Sequence, residues 1–531
     1  MRGDLQTTGM TRPRTVVWMA IGIAVAARLF FDWTAPLLDQ HAFRQTQTAM
    51  TVYWFLRDGI DLLRPPLPVF GVEAPSLPLE FPLYQAIVAT VLDLIGARSV
   101  EAVAAGCRAV SFAFHLLAAW PLHRLARRHF SPLVADGAVL IWLTLPYAVF
   151  WSTTAMIEST AVALTLIHVD QVERAALSVG GRKAGHAAAA MIAGALAAVV
   201  KVTTFALYLP AAGLLYVAAR RLWSPLAWRL SDILAVLAAF VVPIAVVLAW
   251  TTWADAVKAE NAFGGIGLLS STLMEWNFGT WMQRRSGEVW RTIGLCLFGI
   301  VLGIPVTVAA AIGAVRALGC FSRGIWITIV PLGPLVFINL YYLHDYYFFA
   351  VLPPLAMLAA FGACTAAAAI GRSTALCTAA LLILVGTAWV DAAYRWRPRP
   401  SRPATVPVHY LMSRILPHAG LPADALLTLE IARHIRESGR PPGPIVITGN
   451  DWSPDIALYA ERPAYMIGKP PNHIMGGCSP RHWEMVRHAK PALFVVLKPG
   501  TDECPEGLPA PECTLIDAPA YWIGTCMPGA R

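Results

Sequence analysis

Immediately after its first apolar stretch, the chain reads Leu38-Asp39-Gln40-His41-Ala42-Phe43-Arg44-Gln45-Thr46-Gln47-Thr48-Ala49. A carboxylate, an imidazole and a guanidinium therefore stand where a helix would leave a lipid bilayer. Ionisable groups beside hydrocarbon are costly to keep there and often serve a function. This polar stretch indicates chemistry at a membrane surface, and Asp39 is its central residue.

The composition predicts a membrane protein. Hydrophobic residues make up 57% of the 531 residues and charged residues 14%, whereas a soluble domain carries roughly 25% charge. Spans need about 17 to 25 mostly apolar residues. The fold class expected is an all-α polytopic membrane protein with eleven spans near 15–33, 103–122, 132–150, 155–170, 184–200, 202–218, 230–250, 290–312, 324–341, 347–370 and 375–392.

The distribution of basic residues predicts the orientation, because Lys and Arg accumulate in short cytoplasmic loops. With the N-terminus inside, the inner loops hold 15 Lys or Arg in 65 residues and the outer loops 8 in 124. The expected location is the bacterial inner (cytoplasmic) membrane, with a cytoplasmic N-terminus and a periplasmic C-terminal domain. The net charge of +9 reflects this bias and a basic linker, and it gives no sign of a nucleic-acid partner.

The first outer loop is long enough to fold. Residues 80–96 could pass as a span, but counting them would move six basic residues outside, so we interpret them as an interfacial or re-entrant helix. A second, amphipathic helix is predicted over 42–58. The loop is expected to lie against the bilayer.

The composition changes after Asp391, where a Pro- and Arg-rich linker begins. We predict a membrane domain over 1–392, a linker over 393–403 and a small α/β periplasmic domain over 404–531. In the last of these, helices are predicted over 421–438, 453–461 and 480–489, and strands over 444–448 and 493–497. Its four cysteines would lie in an oxidising compartment, which suggests two disulfides, and Cys504 with Cys513 is the favoured pair. A zinc site is the less favoured alternative because no CxxC motif accompanies these cysteines.

The predicted topology places several other polar residues at the same outer level as Asp39. They are His41, Arg44, Glu80, Glu158, Lys201, His344 and Tyr346. Structural roles are the alternatives: a carboxylate can cap a helix, and a long cation can reach lipid head groups. Arg28, Arg108 and His168, inside spans, are expected to be structural.

Such a set suits a sugar carried on a polyprenyl phosphate. A carboxylate can take the proton of an acceptor hydroxyl as that oxygen attacks the anomeric carbon. A Lys or Arg can hold the phosphate and stabilise the charge on the leaving group. Direct displacement by a single base inverts the anomeric configuration, by analogy with glycosidases.

The pattern resembles the bacterial GT-C glycosyltransferases, and within them the protein O-mannosyltransferase and lipid A aminoarabinose transferase branch. The resemblance rests on Asp39 after the first span, the sequences at 41–49 and 80–85, and His344-Asp345-Tyr346-Tyr347. It covers roughly residues 15–392.

The resemblance implies a polyprenyl-phosphate-sugar donor, an inverting mechanism and catalysis on the periplasmic face. It implies Asp39 as general base, Glu158 as a second acidic residue and Lys201 on the donor phosphate. By position, Arg44 is a further candidate for the donor phosphate, and the candidate substrate contacts are His41, Glu80, His344 and Tyr346. The chain departs from the family pattern in two places, because Lys201 lacks the usual Thr-Lys-Gly context and Asp39 is followed by Gln40.

The acceptor is expected to be a periplasmic glycolipid, polysaccharide or protein. No cofactor is expected to be required, and the sequence does not support a divalent cation or a metal site. The absence of P-loop, GxGxxG and HExxH motifs argues against nucleotide hydrolysis and zinc-protease chemistry. A transporter or flippase of a lipid-linked saccharide is the main alternative, and a non-catalytic scaffold is another.

Overall fold

The computed structural model describes residues 12–221, 228–261, 263–395, 421, 423–467, 491–498 and 513–525. Its helices are α1 Arg12–Ala27, α2 Ala42–Asp58, α3 Leu83–Leu94, α4 Val100–His129, α5 Pro132–Thr144, α6 Pro146–Trp151, α7 Glu158–Leu177, α8 Gly180–Val200, α9 Val202–Arg220, α10 Leu230–Val236, α11 Val242–Glu260, α12 Gly264–Gly267, α13 Met274–Phe278, α14 Trp281–Arg285, α15 Gly287–Leu295, α16 Gly303–Ala317, α17 Phe321–Val336, α18 Ile338–Leu343, α19 Leu352–Ile370, α20 Thr374–Arg395, α21 Ala423–Glu437 and α22 Asp455–Tyr459.

Shorter elements complete the described chain. The 3₁₀ helices are Arg28–Phe30 and Asp345–Val351, and π-helical turns occupy Leu237–Val241 and Cys296–Val301. The strands are β1 Ile445–Thr448, β2 Ala464–Ile467, β3 Leu493–Leu497, β4 Thr514–Asp517 and β5 Tyr521–Gly524.

The long apolar helices make this a multi-pass membrane protein. Seven described helices are long and apolar enough to cross a bilayer, or eight if one bent pair counts as a single span. Each of the eleven predicted spans coincides with helical structure, but the count of eleven is not confirmed. Helix α5 has 13 residues and α17 has 16, both short for the roughly 20 residues that a perpendicular span needs.

Two predicted spans are interrupted. The span predicted at 290–312 is a pair of helices that meet at 103°, because a π-helical turn and Gly303 lie between them and the positive φ of +70° at Gly303 cannot continue a helix. The span predicted at 132–150 breaks after Leu145, since the following residue is Pro146 and proline disfavours helical geometry in the residue before it.

The segment between α1 and α4, which was predicted as the first outer loop and keeps that name below, contains both predicted helices, and α2 has the predicted bounds of 42–58. Its surroundings differ from the expectation of a surface helix. All twelve residues from Gln45 to Leu56 are buried, because α3 and α4 pack on one side of α2 and α22 packs on another. The amphipathic pattern arose from polar side chains that serve contacts inside the protein.

The C-terminal region forms a five-stranded sheet of order β2-β1-β3-β5-β4. Strand β1 pairs in parallel with β2 and β3, while β5 pairs antiparallel with β3 and β4. Residues 68–71 of the first outer loop lie along the outer edge of β2, where the Ala464 N–H donates to the Pro68 carbonyl at 2.8 Å and the Gly71 N–H to the Ala464 carbonyl at 2.9 Å. The sheet is therefore anchored on the first outer loop.

The predictions for this region are partly confirmed. Strand β3 has the predicted bounds, and α21, β1 and α22 fall within predicted elements. The helix predicted at 480–489 lies outside the described residues, as do the linker beyond residue 395 and Cys478, Cys504 and Cys526. Cys513 is disulfide-bonded, and the assignment of Cys504 as its partner stays a prediction.

Candidate functional site at one end of the helix bundle

Asp39 lies in the segment between the first helix and α2, and it is 8% exposed. The Gln45 side chain donates to the Asp39 carboxylate. The same amide donates to the Gln40 carbonyl at 2.9 Å and accepts from the Ala155 N–H at 3.1 Å. Gln45 thereby fixes the carboxylate of Asp39 relative to the turn that precedes α7.

The backbone before Asp39 is held from within the bundle by Arg108 of α4. Its guanidinium donates to the carbonyls of Trp33, Ala35 and Pro36 at 2.8, 2.5 and 3.2 Å. These carbonyls follow the end of the first helix and have no helical partners of their own. The prediction that Arg108 is structural agrees with this geometry, and the segment it holds is the one that carries Asp39.

Glu158 and Lys201 form a buried ion pair. Glu158 begins α7, and Lys201 is the single residue between α8 and α9, so both stand at the same end of the bundle. The Lys201 ammonium also lies 5.0 Å from the ring centroid of Tyr346 and 4.3 Å from that of Tyr347. The second carboxylate oxygen of Glu158 has no hydrogen-bond partner among the described residues.

Arg44 of α2 pairs with Glu80, which precedes α3, at 2.6 Å. A second guanidinium nitrogen donates to the Gln47 side chain at 2.9 Å. Burial, the largest single effect, opposes the charged form of Arg44, but Glu80, Tyr346, Tyr347 and Glu158 together outweigh it and raise the pKa of Arg44. The guanidinium is therefore a fixed positive charge in the outer loop.

The His41 ring packs against His344 and Tyr346, with centroids 5.3 and 4.9 Å apart. His41 Nε2 and Gln40 Nε2 each lie 2.9 Å from a carboxylate oxygen of Asp345. His41 itself has a φ of +55°, a left-handed conformation that is uncommon for residues other than glycine. The contacts of Gln40 and His41 with Asp345 join the start of α2 to the segment that precedes α19.

His344 carries no charge at neutral pH. Burial lowers the pKa of His344 to about 3, and the positive charges of His41, Arg44 and Lys201 act in the same direction. Its Nδ1 atom is buried and has no hydrogen-bond partner in the described part of the chain. Buried polar atoms are normally hydrogen-bonded, so this nitrogen and the free oxygen of Glu158 are available to a ligand or to water.

An apolar cavity of about 340 Å³ opens beside these residues, between α8 and α11. It is lined by Leu63, Phe81, Ala195, Leu196, Val199, Val246, Ala249, Trp250 and Trp253. Phe81 directly follows Glu80, and its N–H donates to the Val199 carbonyl at 3.1 Å. Two lining residues, Phe81 and Val199, therefore lie within two residues of Glu80 and Lys201 along the chain.

The structure thus brings the predicted site residues to one end of the bundle. It pairs Glu158 with Lys201 and Arg44 with Glu80, and it stacks His41 against His344 and Tyr346. It attaches Asp39 to the same region through Gln45. These positions leave the assigned roles as predictions.

Three contributors were not selected from the sequence. Gln45 bonds to Asp39, Asp345 bonds to Gln40 and His41, and Tyr347 covers Lys201. All three lie within two of the motifs that carried the family resemblance, residues 41–49 and 344–347, so their place in those motifs was the available signal. Which partner each one meets depends on tertiary packing.

Among the residues that the structure describes, no group of three or more His, Cys, Asp or Glu side chains is arranged to hold a metal ion. The expectations that no cofactor is required and that a divalent cation is unsupported stay predictions.

No protein-family model matches the sequence, and no curated protein sequence matches it significantly. Solved structures do match its fold. ArnT from Cupriavidus metallidurans, bound to undecaprenyl phosphate, aligns with a TM-score of 0.62 at 13% identity, over 96% of this chain and 98% of that one. ArnT in the apo state aligns with a TM-score of 0.60 at 13% identity, over 97% and 98% of the two chains.

A second protein gives a weaker match. The archaeal oligosaccharyltransferase AglB from Archaeoglobus fulgidus, in complex with an inhibitory peptide and a dolichol-phosphate, aligns with a TM-score of 0.52 at 14% identity, over 91% of this chain and 69% of that one. ArnT and AglB both belong to the GT-C superfamily. This chain therefore has the GT-C fold, with the similarity to ArnT extending over nearly the whole length of both proteins.

Proposed function

We propose that this protein is an inverting glycosyltransferase that moves a sugar from a polyprenyl-phosphate donor to a periplasmic acceptor. The observation that carries the proposal is the grouping of Asp39, Lys201 and Arg44 at one end of the bundle, next to an apolar cavity. That arrangement suits a substrate with a charged head and a hydrocarbon tail. The binding of undecaprenyl phosphate and dolichol-phosphate by ArnT and AglB supports the same substrate class.

The proposed reaction is a single displacement. The Asp39 carboxylate takes the proton from an acceptor hydroxyl while that oxygen forms a bond to the anomeric carbon. The bond between the anomeric carbon and the phosphate oxygen breaks, and the polyprenyl phosphate leaves with the electron pair. Lys201 and Arg44 stabilise the phosphate charge. One displacement without a covalent intermediate inverts the configuration of the sugar.

Glu158 has two proposed contributions. Its pairing with Lys201 holds the ammonium in the site before the donor arrives, and its second oxygen can accept a hydrogen bond from the substrate. Glu80 plays the corresponding part for Arg44. His344, neutral at pH 7, together with His41 and Tyr346, offers ring faces and one unbonded nitrogen to the sugar.

The proposed location is the bacterial inner membrane, with the site on the periplasmic side. The opposite end of the bundle carries Arg14, Arg124, Arg128 and Lys183, as cytoplasmic ends do. Single cysteines placed at residues 61 and 373 test this, in a variant that keeps the Cys513 disulfide and lacks the free cysteines Cys107, Cys296, Cys320, Cys364 and Cys377. A membrane-impermeant maleimide applied to intact cells should label position 61 and spare position 373, and the reverse pattern would reject the orientation.

Transfer itself is tested with purified protein in nanodiscs, supplied with a panel of undecaprenyl-phosphate sugars and candidate glycan, lipid and peptide acceptors. Asp39→Asn should lower the transfer rate about 10²- to 10⁴-fold, the range for loss of a general base. The matched control is Asp58→Asn, which removes a largely exposed carboxylate at the end of α2. Equal transfer by Asp39→Asn and wild type would reject the base, and movement of the donor across the bilayer without transfer would favour a flippase.

A further inference from the structure

The C-terminal region is attached to the part of the first outer loop that carries the candidate site. The Leu37 N–H donates to the Tyr459 hydroxyl oxygen at 2.6 Å. Leu37 is fully buried, and Tyr459 is 5% exposed. This contact joins the last residue of α22 to a backbone position two residues before Asp39.

Tyr459 is also within electrostatic reach of the Asp39 carboxylate. Burial raises the pKa of the Tyr459 phenol, and the negative charge of Asp39 acts in the same direction. The phenol is therefore neutral and can accept the hydrogen bond from Leu37 at any physiological pH. From the other side, Arg108 holds the carbonyls of residues 33, 35 and 36, so the segment leading to Asp39 is fixed between the bundle and α22.

Two further contacts make this attachment rigid. The Trp452 ring packs against Phe43 of α2 and Phe70 of the loop, with centroids 4.9 and 5.9 Å apart. The backbone of residues 68–71 pairs with the outer edge of β2, so this edge of the sheet is not left open. The C-terminal region therefore contacts the outer loop before α2, within α2 and after it.

We propose that the C-terminal domain is a brace for the Asp39 segment and that Tyr459 is a positioning residue through which the brace sets the carboxylate. The effect on catalysis rests on the proposed function. The attachment of the Asp39 segment to the C-terminal domain rests on the contacts alone. It gives the domain a role in catalysis without requiring it to touch the substrate.

The test compares two full-length variants that each lose one phenolic hydroxyl. Tyr459→Phe removes the acceptor of the Leu37 N–H. Tyr53→Phe, the control, removes the hydroxyl that donates to Glu461 at 3.0 Å, another link between α2 and the C-terminal domain but at the far end of that helix. Both substitutions keep the ring and its packing.

The first measurement is hydrogen–deuterium exchange of the peptide covering residues 33–41. Exchange at this peptide should increase in Tyr459→Phe and stay at the wild-type rate in Tyr53→Phe. The second is steady-state transfer with an undecaprenyl-phosphate sugar that wild type accepts. Tyr459→Phe should lower kcat about 10- to 100-fold with KM for the donor unchanged, because a small displacement of a reacting group slows chemistry without weakening binding.

The outcomes separate the two proposals. Unchanged exchange at residues 33–41 in Tyr459→Phe, or an unchanged kcat beside an active wild type, would overturn the brace. Faster exchange in Tyr459→Phe, in a protein whose wild type transfers no sugar, would uphold the mechanical attachment and reject the transferase. A raised KM with unchanged kcat would reassign Tyr459 to substrate binding.

Discussion

Glu158 and Lys201, which are 43 residues apart in sequence, form a buried ion pair where α7 begins and α8 ends. Each charge would be costly to bury without the other. The pair is therefore a structural element, and in the proposed mechanism its Lys201 also holds the donor phosphate; substitution can separate these two roles.

Replacing only one partner should destabilise the protein. Lys201→Met leaves the Glu158 carboxylate buried without its counter-charge, at a cost of about 3–5 kcal/mol. The double variant Glu158→Gln, Lys201→Met should recover much of that loss but transfer no sugar. Thermal denaturation in detergent measures the stability, and the nanodisc assay measures transfer. A double variant that regains activity would show that Lys201 does not hold the phosphate.

Gln45 should influence the rate through Asp39. Gln45→Leu removes a hydrogen bond to a charged group, which contributes about 1.5–3 kcal/mol. We expect kcat to fall about 10- to 100-fold with little change in the KM of the donor. Thr46→Val is the control, because it replaces the adjacent buried polar residue of α2, whose hydroxyl bonds only within its own helix. Equal rates for the two variants would contradict a link between Gln45 and the base.

The lowered pKa of His344 predicts how stability depends on pH. In the unfolded chain a histidine takes up a proton near pH 6.5, whereas folded His344 stays neutral down to about pH 3. The unfolded state therefore gains protons first, and stability should fall as the pH drops below 6.5.

His344→Gln should remove part of this acid sensitivity. The measurement is the difference in Tm between pH 7 and pH 4.5 for wild type and variant, and we expect the smaller difference in the variant. The pH profile of transfer between pH 6 and 8 should not move, since His344 does not titrate there. A variant that is more sensitive to acid than wild type would show that folded His344 is protonated.

Gly71 is needed where the outer loop meets the sheet. Its φ is +101°, and a Cβ at this position would lie 2.5 Å from the Tyr465 ring. Gly59 makes a matched control, because its φ of +95° imposes similar backbone strain while nothing lies within 4 Å of its would-be Cβ. Gly71→Ala should therefore lower Tm more than Gly59→Ala, and equal losses would mean that the loop does not depend on this close approach.

Much of the fold follows from local sequence. Apolar runs located the membrane helices, and α2 was placed at its observed bounds because its pattern is regular over 17 residues. The bend at Gly303 was missed because a glycine within an apolar run does not by itself reveal a positive φ. Strands β2, β4 and β5 are as short as β1, but they lack the run of β-branched residues that marked Ile445–Thr448 as a strand.

The sequence predicted which residues gather at the candidate site, but it did not predict which of them contact one another. Polar residues at the ends of apolar helices are visible in the sequence, and their shared level follows from the alternation of helix direction. Glu158 pairs with Lys201, and the partner of Asp39 is Gln45. These pairings depend on how the helices rotate about their axes. No pattern in a single sequence specifies those rotations.

The pairing of residues 68–71 with β2 has a consequence for biosynthesis. Glu73 and Tyr465, which bond across this junction, are 392 residues apart. The ribosome makes this loop long before it makes β2. Residues 68–71 therefore cannot pair with β2 until the membrane helices between them have been synthesised. The segment before Asp39 likewise gains its hydrogen bond to Tyr459 only after residue 459 has been made, so the candidate site is completed late in synthesis.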